Sequence, residues 1–377
     1  MVIGITCYPV AGGSGIIATE LGLQLAARGH QVHFISYAMP FRLDDFKKNL
    51  MYHAVETTAY PLFKYPPYTL TLAAKMAEVS RNYNLDVLHV HYAIPHAACA
   101  FLARQLLNGV DKQPKIITTL HGTDITLVGS DPSYYEITRF SIKSSDGLSA
   151  VSKYLADETK EVFKLDQDIR VVYNFFDEKR FKPKSSHCVK GEFVEEGEAL
   201  ITHVSNFRPV KRTLDVIDIF EKISAEVPSK LLLIGEGPDT ILTRRQVTKK
   251  GLTDKVIFLG NQSRVEAVLP CSDLFLLPSE EESFGLAALE ALACGVPVIG
   301  TQGTGLVEVV DDYKNGFLLP VGDTTSMARA GISLLKDTER LKTFKLDAAR
   351  IAYDRFNSQK IITDYENYYE DVLSGKS

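Results

Sequence analysis

Short apolar runs alternate with amphipathic stretches along most of this 377-residue chain. The runs at residues 2–7, 32–36 and 86–91 have the length of buried strands, and residues 16–28 repeat apolar side chains at helical spacing. Gly29 then stands where a helix C-terminus commonly places a glycine. Because strands that alternate with helices indicate βαβ units, we predict an α/β protein with doubly wound parallel sheets.

The same pattern is clearest in the second half of the chain. An apolar run at residues 274–277 predicts a strand, and an Ala- and Leu-rich helix is predicted to begin at Ser283 and to end near Gly295. A second strand follows at residues 296–299, and a glycine-rich turn occupies residues 300–305. The loops of such a βαβ unit lie at the carboxyl ends of its strands, where open parallel sheets bind ligands.

Two carboxylates flank the start of this predicted helix. Glu282 precedes it, and Glu290 stands eight positions later, which corresponds to about 12 Å along a helix axis. A helix N-terminus binds anions through its main-chain N–H groups, here those of Ser283, Phe284, Gly285 and Leu286. A nucleotide-sugar suits this arrangement, with hydroxyls on the carboxylates and the diphosphate on the N–H groups. The alternative is an ordinary helix with one acidic residue in its first turn and another on its solvent face.

Two further segments carry candidate ligand groups. The turn at residues 12–15 is Gly-Gly-Ser-Gly, whose N–H groups near Gly13 and Ser14 could hold a phosphate or a carboxylate. It lacks the G-x-G-x-x-G pattern of a dinucleotide site, and a tight turn that serves close packing explains it equally well. His121 follows the strand predicted at residues 115–120, at the ligand side of the sheet. The alternative is that His121 has only a structural role, as isolated histidines more often do.

Length and charge limit the class of protein. A chain of 377 residues is too long for one ordinary core and suits two domains. The polar segment 182–197 is the predicted linker, which gives domains at residues 1–180 and 181–355. The net charge of −5, without a block of Lys and Arg, argues against a nucleic-acid binder.

The sequence predicts a cytoplasmic protein without stable membrane association. Its apolar runs are strand-sized, well short of the ~20 residues of a transmembrane helix, and the N-terminus lacks the basic region of a signal peptide. Five scattered cysteines without a C-x-x-C pair fit reduced thiols and offer no cluster for a metal. A homo-oligomer is compatible with all of these features.

The stretch from Glu282 to Glu290, ESFGLAALE, resembles the E-x7-E motif of the retaining glycosyltransferases of family 4, which have the GT-B fold. The motif's continuation, E-A-x-A-C/S-G-x-P-V, is present from Glu290 to Val298. The resemblance implies two Rossmann-like domains, each with a doubly wound parallel sheet, that face a deep cleft. It also implies that a C-terminal helix at residues 356–377 completes the first domain.

The resemblance implies roles for individual residues. His121, in His-Gly-Thr-Asp, would contact the transferred hexose, and Lys211 would hold the donor diphosphate. Asn206 stands where the family usually has an arginine, so Arg208 is the nearest substitute. The implied catalytic residues are His121, Lys211 and Glu282. The implied donor site comprises Gly13, Ser14, Asn206, Arg208, Lys211, Ser263, Arg264, Glu282, Ser283, Phe284, Gly285, Leu286 and Glu290.

Three segments of the first domain resemble one particular group within this family. CYP-x-x-GGSGIIATELG, HVHYAIPHA and TTLHGTDIT resemble the family members that transfer N-acetylglucosamine from UDP-N-acetylglucosamine to the hydroxyl of L-malate in bacillithiol biosynthesis. A dicarboxylate acceptor needs cations and hydrogen-bond donors. The expected acceptor residues are the cations Lys64 and Arg139 and the donors Ser14, Tyr92 and Thr123.

Retention through a covalent intermediate needs a carboxylate beneath the anomeric carbon. Because no acidic residue stands obviously at the sheet edge of the first domain, we expect same-face attack, with the leaving diphosphate taking the proton of malate. Cations around the diphosphate would make a metal unnecessary, and no cofactor is expected. Two alternatives stay open: a family 4 enzyme with another acceptor, such as inositol phosphate or a lipid-linked sugar, and a non-catalytic nucleotide-sugar binder.

Overall fold

Two parallel sheets, one in each half of the chain, confirm the predicted α/β architecture. The computed structural model describes residues 1–10, 12–43, 48–57, 64–126, 128–129, 131–183 and 190–376. The chain divides into unit 1, which comprises Met1–Asn174 and Gln359–Ser377, and unit 2, which comprises Phe175–Ser358. The boundaries predicted from the sequence are residues 180 and 355.

Unit 1 contains a seven-stranded sheet. Its strands are β1 (Val2–Thr6), β2 (Gln31–Ser36), β3 (Leu50–Ala54), β4 (Val87–His91), β5 (Lys115–Leu120), β6 (Gly147–Ala150) and β7 (Arg170–Val171). They pair in parallel in the order β3-β2-β1-β4-β5-β6-β7. The carboxyl ends of β1, β4 and β5 are therefore neighbours, and the loops that follow them meet at one edge of the sheet.

Helices connect these strands. They are α1 (Gly13–Ala27), α2 (Tyr68–Tyr83), α3 (Ala98–Leu106), α4 (Thr123–Thr126), α5 (Tyr135–Lys143) and α6 (Lys153–Phe163), with a π-helical turn at Ala93–Ala97. Apolar side chains of α2 and α3, such as Leu72 and Met76, pack on those of the sheet, such as Ile35 and Val90, and form the core. Burial of these side chains is what ties the helices to the sheet.

The helix predicted at residues 16–28 begins earlier than expected, at Gly13. A Cβ atom on Gly15 would lie 2.6 Å from the carbonyl oxygens of both Tyr8 and Val10. Glycine therefore lets the preceding loop fold back against the first helical turn. This contact places Ser14 on α1, close to the end of β1, rather than in a free turn.

Unit 2 contains a six-stranded parallel sheet with its own helices. The strands are β8 (Ala199–Val204), β9 (Ser229–Ile234), β10 (Val256–Gly260), β11 (Leu274–Leu277), β12 (Val298–Thr301) and β13 (Gly316–Leu319). They pair in the order β10-β9-β8-β11-β12-β13. The helices are α7 (Thr213–Ser224), α8 (Thr240–Lys249), α9 (Leu286–Ala293), α10 (Thr324–Lys336) and α11 (Thr338–Phe356).

The last helix, α12 (Ser358–Leu373), belongs almost entirely to unit 1. Its buried face includes Tyr365 and Tyr369. The hydroxyl of Tyr369 lies 2.8 Å from Nδ1 of His89 in β4, and Glu366 forms an ion pair with Arg28 after α1. These contacts join the C-terminus of the chain to the sheet of unit 1. No helix among the described residues is both long and apolar enough to span a bilayer.

The described residues of the segment predicted as a linker, 182–183 and 190–197, belong to unit 2. Residues 184–189 are outside the described part of the chain. Next to them, Phe181 and Val194 are buried, and the hydroxyl of Tyr353 donates a hydrogen bond to the carbonyl oxygen of Phe181. Phe181 and Val194 are therefore part of the packed structure of unit 2.

The cysteines differ in part from the expectation of reduced thiols. Cys271 is disulfide-bonded. Cys7, Cys99 and Cys294 are free and buried, and burial raises the pKa of Cys7 and of Cys99 to about 12. These two thiols therefore stay protonated near neutral pH, which makes them poor nucleophiles. Cys188 lies outside the described residues.

Candidate active site

The loop between β11 and α9 carries the two-carboxylate motif at the carboxyl edge of the unit 2 sheet. The predicted helix start at Ser283 is wrong, because α9 begins at Leu286. Gly285 has φ 91° and ψ 54°, a left-handed conformation that cannot continue into the preceding residues as a right-handed helix. Of the four residues expected to offer N–H groups at the helix N-terminus, Leu286 alone belongs to α9, and the buried Phe284 precedes it.

Glu282 is fixed by three neighbours. Its Oε1 accepts hydrogen bonds from Nζ of Lys211 at 2.7 Å and from the hydroxyl of Ser279 at 2.8 Å. Its carbonyl oxygen accepts a bond from the N–H of Gly305 at 2.7 Å. Because Glu282 is only 9% exposed, the ion pair with Lys211 is shielded from water and stronger than a surface pair. It joins the loop after β8 to the loop after β11.

The loop after β8 is held at its start by a neutral histidine. Nδ1 of His203 lies 2.8 Å from the carbonyl oxygen of Leu276, so this nitrogen is the donor. Nε2 then accepts from the hydroxyl of Ser205 at 2.7 Å, and burial lowers the pKa of His203 to about 4. Oγ of Ser205 in turn accepts from the N–H of Phe207 at 3.2 Å. This chain of bonds orders the segment that leads to Lys211.

The other predicted donor residues of unit 2 differ in exposure. In the loop after β8, Asn206 is exposed and Arg208 is half-buried. Ser263 and Arg264 are exposed after β10. Glu290 is only 6% exposed, so the alternative of a solvent-facing acidic residue is wrong. Because the helix begins at Leu286, Glu290 lies about 6 Å along the axis from the start of the helix. The predicted separation of ~12 Å between Glu282 and Glu290 along one helix axis therefore does not apply.

Ser14, Tyr92 and Thr123 converge at the carboxyl edge of the unit 1 sheet. Oγ of Ser14 lies 2.8 Å from the hydroxyl of Tyr92, and the side chain of Thr123 is near enough to that hydroxyl to oppose slightly the rise in its pKa that burial causes. Tyr92 has a positive φ of 89°, which is uncommon for a residue with a side chain. Its N–H donates to the carbonyl oxygen of Thr119 at 3.0 Å, which holds this conformation. The structure thus brings together all three predicted hydrogen-bond donors of the acceptor site.

His121 belongs to the same cluster. Its ring centroid is 5.4 Å from that of Tyr92, and its Nε2 lies 2.8 Å from Nδ1 of His91 at the end of β4. Burial, with a smaller contribution from His96, lowers the pKa of His121 to about 3. The imidazole is therefore neutral near pH 7, and it offers one hydrogen-bond donor and one acceptor.

An acidic residue also lies at this edge, contrary to the expectation that none stands there. Asp124 is buried, and burial raises its pKa to about 6. Its Oδ2 accepts from the N–H of Ala93 at 2.9 Å, and its Oδ1 accepts from the N–H groups of Gly122 at 3.0 Å and His121 at 3.3 Å. Because both oxygens are bonded to main-chain groups, this carboxylate binds loops together and is poorly placed to attack a substrate.

The two predicted cations of the acceptor site are placed differently. Arg139 lies on α5, which packs against the π-helical turn that follows Tyr92. Its guanidinium donates from Nε to the carbonyl oxygen of Phe163 at 3.0 Å, which leaves the N–H groups of Nη1 and Nη2 for other partners. Lys64 is exposed, with Nζ 5.5 Å from the ring centroid of Tyr65. Within the described part of the chain, Lys64 forms no hydrogen bond to the other predicted acceptor residues.

Sequence reasoning missed three residues that support the site. Asp124 stands inside the His-Gly-Thr-Asp segment, where its role as a main-chain acceptor has no local signal. His91 was visible as a histidine in an apolar strand, two positions after His89 and therefore on the same face. Ser279 follows β11 and bonds Glu282, a short-range contact that the turn's composition does not reveal.

Comparison with known proteins agrees with this architecture. Residues 11–180 match the family model described as Glycosyltransferase Family 4, and residues 189–350 match the model described as Glycosyl transferases group 1. Two solved structures share the fold: sucrose-phosphate synthase from Thermosynechococcus elongatus, with a TM-score of 0.80 and 21% identity over 99% of both chains, and Anabaena HepE in complex with UDP-glucose. The latter has a TM-score of 0.79 and 21% identity over 99% of this chain and 100% of that chain.

A curated relative is considerably more similar in sequence. The N-acetyl-alpha-D-glucosaminyl L-malate synthase of Bacillus anthracis is 50% identical over 372 residues, which cover 98% of this chain and 97% of the relative. The aligned region extends over both units. The chain belongs to the GT-B glycosyltransferases of family 4, in the group that includes N-acetyl-alpha-D-glucosaminyl L-malate synthase.

Proposed function

We propose that the protein transfers N-acetylglucosamine from UDP-N-acetylglucosamine to the hydroxyl of L-malate, with retention of the α configuration. This would be the first step of bacillithiol biosynthesis. The observation that carries the proposal is the 50% identity, across 98% of the chain, to the Bacillus anthracis synthase. The geometry of the two sheet edges supports it, because unit 2 offers a lysine that is paired with a carboxylate, and unit 1 offers hydroxyls and an imidazole.

The donor would bind at the carboxyl edge of the unit 2 sheet. An ammonium group carries three N–H donors, and Lys211 directs one of them to Glu282, so the others are available to a diphosphate. Arg208 in the same loop and the N-terminus of α9 at Leu286 would add further positive potential. Hydroxyls of the sugars would bind Glu282 and the buried Glu290.

The remaining donor contacts would come from main-chain and exposed groups. The loop after β10, with Ser263 and Arg264, would hold the nucleobase, and the segment Ser283, Phe284 and Gly285 would approach the phosphates through its main chain. Asn206 occupies the place of the family's usual arginine. Gly13 and Ser14, the donor residues expected in unit 1, stand at the start of α1, where main-chain N–H groups favour an anion.

Malate would bind at the cluster of unit 1. The hydroxyls of Ser14 and Tyr92 are hydrogen-bonded to each other, and Thr123 lies near the hydroxyl of Tyr92. The guanidinium of Arg139 is the better-supported partner for a carboxylate, because its Nε is held by the carbonyl oxygen of Phe163 and α5 packs against the turn after Tyr92. Lys64 is a second, more exposed cation for the other carboxylate.

The proposed reaction is a same-face substitution. The bond from the anomeric carbon to the diphosphate breaks, the malate hydroxyl oxygen bonds to that carbon, and the malate proton moves to the departing diphosphate. A covalent route would need a free carboxylate near the anomeric carbon, and Asp124 is engaged with three main-chain N–H groups. The protein would act by positioning the reactants and by stabilising the leaving diphosphate with Lys211 and Arg208.

The direct test is UDP release by the purified protein with UDP-N-acetylglucosamine, in the presence of EDTA. We expect release to depend strongly on L-malate and to be unaffected by the chelator, because protein cations would neutralise the diphosphate. Succinate is the matched control, since it keeps both carboxylates and lacks the attacking hydroxyl. Equal release with succinate or without acceptor would contradict the malate assignment, and a loss of release with EDTA would contradict the metal-free mechanism.

Replacement of Lys211 tests the leaving-group role. We expect Lys211→Met to lower kcat by about 10²–10³-fold, the typical cost of one charge-stabilising donor in the transition state. The KM for UDP-N-acetylglucosamine should change less, because the charge on the diphosphate grows as the bond breaks. Steady-state kinetics with varied donor would measure both constants.

Two further variants serve as controls for that experiment. Lys211→Arg keeps a positive charge next to Glu282 and should retain more activity than Lys211→Met. Lys249→Met removes an exposed lysine from α8 and should leave both constants unchanged. A raised KM with unchanged kcat in Lys211→Met would show that Lys211 binds the ground state and transition state equally, against the proposal.

Replacement of Arg139 tests acceptor binding. Arg139→Met should raise the KM for L-malate by roughly 10–100-fold, since hydrogen bonds to charged groups contribute about 1.5–3 kcal/mol. The KM for the donor should stay within about threefold of the original value. Arg81→Met, on the exposed side of α2, is the matched control. An unchanged malate KM in Arg139→Met, with a raised one in Lys64→Met, would move the carboxylate site to Lys64.

A further inference from the structure

Four histidines of unit 1 cluster below the carboxyl edge of the sheet. His89 and His91 lie on one face of β4, His96 follows in the π-helical turn, and His121 follows β5. The first three are fully buried, and burial lowers the pKa of His89 to about 3, of His96 to about 4 and of His91 well below its ordinary value. All four rings are therefore neutral near pH 7, and each carries one proton on one of its two nitrogens.

The proton of His96 can be assigned from its partner. Nδ1 of His96 lies 2.5 Å from the carbonyl oxygen of His91, which can only accept a hydrogen bond. Nδ1 of His96 therefore carries the proton, and its Nε2 is a bare acceptor. This nitrogen is buried without a hydrogen-bond partner in the described part of the chain, so the cluster already tolerates one unpaired acceptor.

The proton between His91 and His121 can be assigned by the same reasoning. Nδ1 of His91 and Nε2 of His121 are 2.8 Å apart, so one nitrogen donates and the other accepts. If His121 donated, His91 would carry its own proton on Nε2, which is buried and has no hydrogen-bond partner among the described residues. An N–H group buried without an acceptor is rarer and more costly than an unused acceptor. His91 is therefore the donor.

This assignment fixes the tautomer of His121. Its Nε2 accepts the bond from His91, so its proton is on Nδ1. His121 is half-buried, unlike His91, and its Nδ1 forms no hydrogen bond within the described residues. The donor of His121 that His91 does not use is thus Nδ1.

We propose that His91 is a positioning residue that holds His121 as the Nδ1–H tautomer, so that His121 presents a hydrogen-bond donor, and not a base, to the bound sugar. In this arrangement His121 donates from Nδ1 to an oxygen of the transferred hexose. His121 takes no proton from the malate hydroxyl, because that proton goes to the departing diphosphate. The contact to the hexose rests on the proposed function, whereas the tautomer is a property of the free protein.

The tautomer is measured by long-range proton–nitrogen NMR of the protein labelled with ¹⁵N only at histidine, without substrates at pH 7. The resonances of His121 are identified by their loss in His121→Gln. We expect Nδ1 of His121 to appear protonated and Nε2 unprotonated. A wild-type His121 with its proton on Nε2 would overturn the proposal whatever the variants do.

Two variants of His91 separate positioning from packing. His91→Asn keeps an amide donor close to the position of Nδ1 and should preserve the Nδ1–H form of His121. His91→Leu fills the site without a donor, so the proton of His121 should exchange between both nitrogens. An unchanged tautomer in a folded His91→Leu variant would also refute the assignment.

The second histidine pair of the same sheet provides a matched control. Nδ1 of His33 in β2 lies 2.9 Å from Nε2 of His53 in β3, and Nε2 of His33 is likewise buried without a partner in the described residues. His33→Leu therefore removes an equivalent buried pair. It should leave the nitrogen resonances of His121 unchanged.

Kinetics link the tautomer to the reaction. His91→Leu should lower kcat roughly tenfold, as expected when one hydrogen bond to the transition state is lost, with little change in the KM for L-malate. His91→Asn should restore most of this loss, and His33→Leu should show none. If the wild-type protein proved inactive with malate, the NMR result would still decide the tautomer, so failure of the proposed function and failure of this inference are distinguishable.

Discussion

The buried carboxylate of Asp124 holds together the part of unit 1 on which the proposed acceptor site depends. Its two oxygens accept main-chain N–H groups from the loop after β4 and from the loop after β5. Tyr92 directly precedes one of these groups, at Ala93, and His121 directly precedes another, at Gly122. One carboxylate therefore sets the positions of two side chains from different strands. Burial raises its pKa to about 6, which indicates that the main-chain bonds offset only part of the desolvation cost.

The carboxylate of Glu282 has a different role in unit 2. Its side chain accepts from a lysine ammonium and a serine hydroxyl rather than from main-chain N–H groups. An ammonium is a point charge with several donors, and Lys211 can rotate toward an anionic ligand without leaving the loop. The two sheet edges thus differ in chemistry. At the edge of unit 1, neutral imidazoles and hydroxyls surround a carboxylate that main-chain N–H groups hold, whereas a lysine–glutamate pair stands at the edge of unit 2, where a diphosphate would need cations.

The alternation of strands and helices was predictable because it follows from side-chain periodicity, and the structure confirms it. Helix starts were less predictable. Gly285 has a left-handed conformation, and Gly15 allows a close contact with carbonyl oxygens. The periodicity of the local sequence reveals neither feature. The predicted starts of α9, at Ser283, and of α1, at residue 16, were wrong for these reasons.

Parts of the site depended on contacts between distant residues. Lys211 and Glu282 were each singled out from the sequence, but their 2.7 Å ion pair joins residues 71 positions apart. The pairing of His91 with His121 spans 30 positions and requires β4 and β5 to be neighbours. Sequence patterns predicted that β4 and β5 are strands. No local motif shows that the two strands are neighbours in the sheet, or which of the two histidines donates the hydrogen bond.

The central claim is that N-acetylglucosamine moves to malate on one face of the sugar, without a covalent intermediate on the protein. Proton NMR of the product, recorded while UDP-N-acetylglucosamine and L-malate are converted, tests it most directly. We expect the first-formed product to have the small anomeric coupling of an α-glycoside, and no glycosylated protein to accumulate by mass spectrometry. A large coupling, typical of a β-glycoside, or a sugar covalently attached to the protein would contradict it.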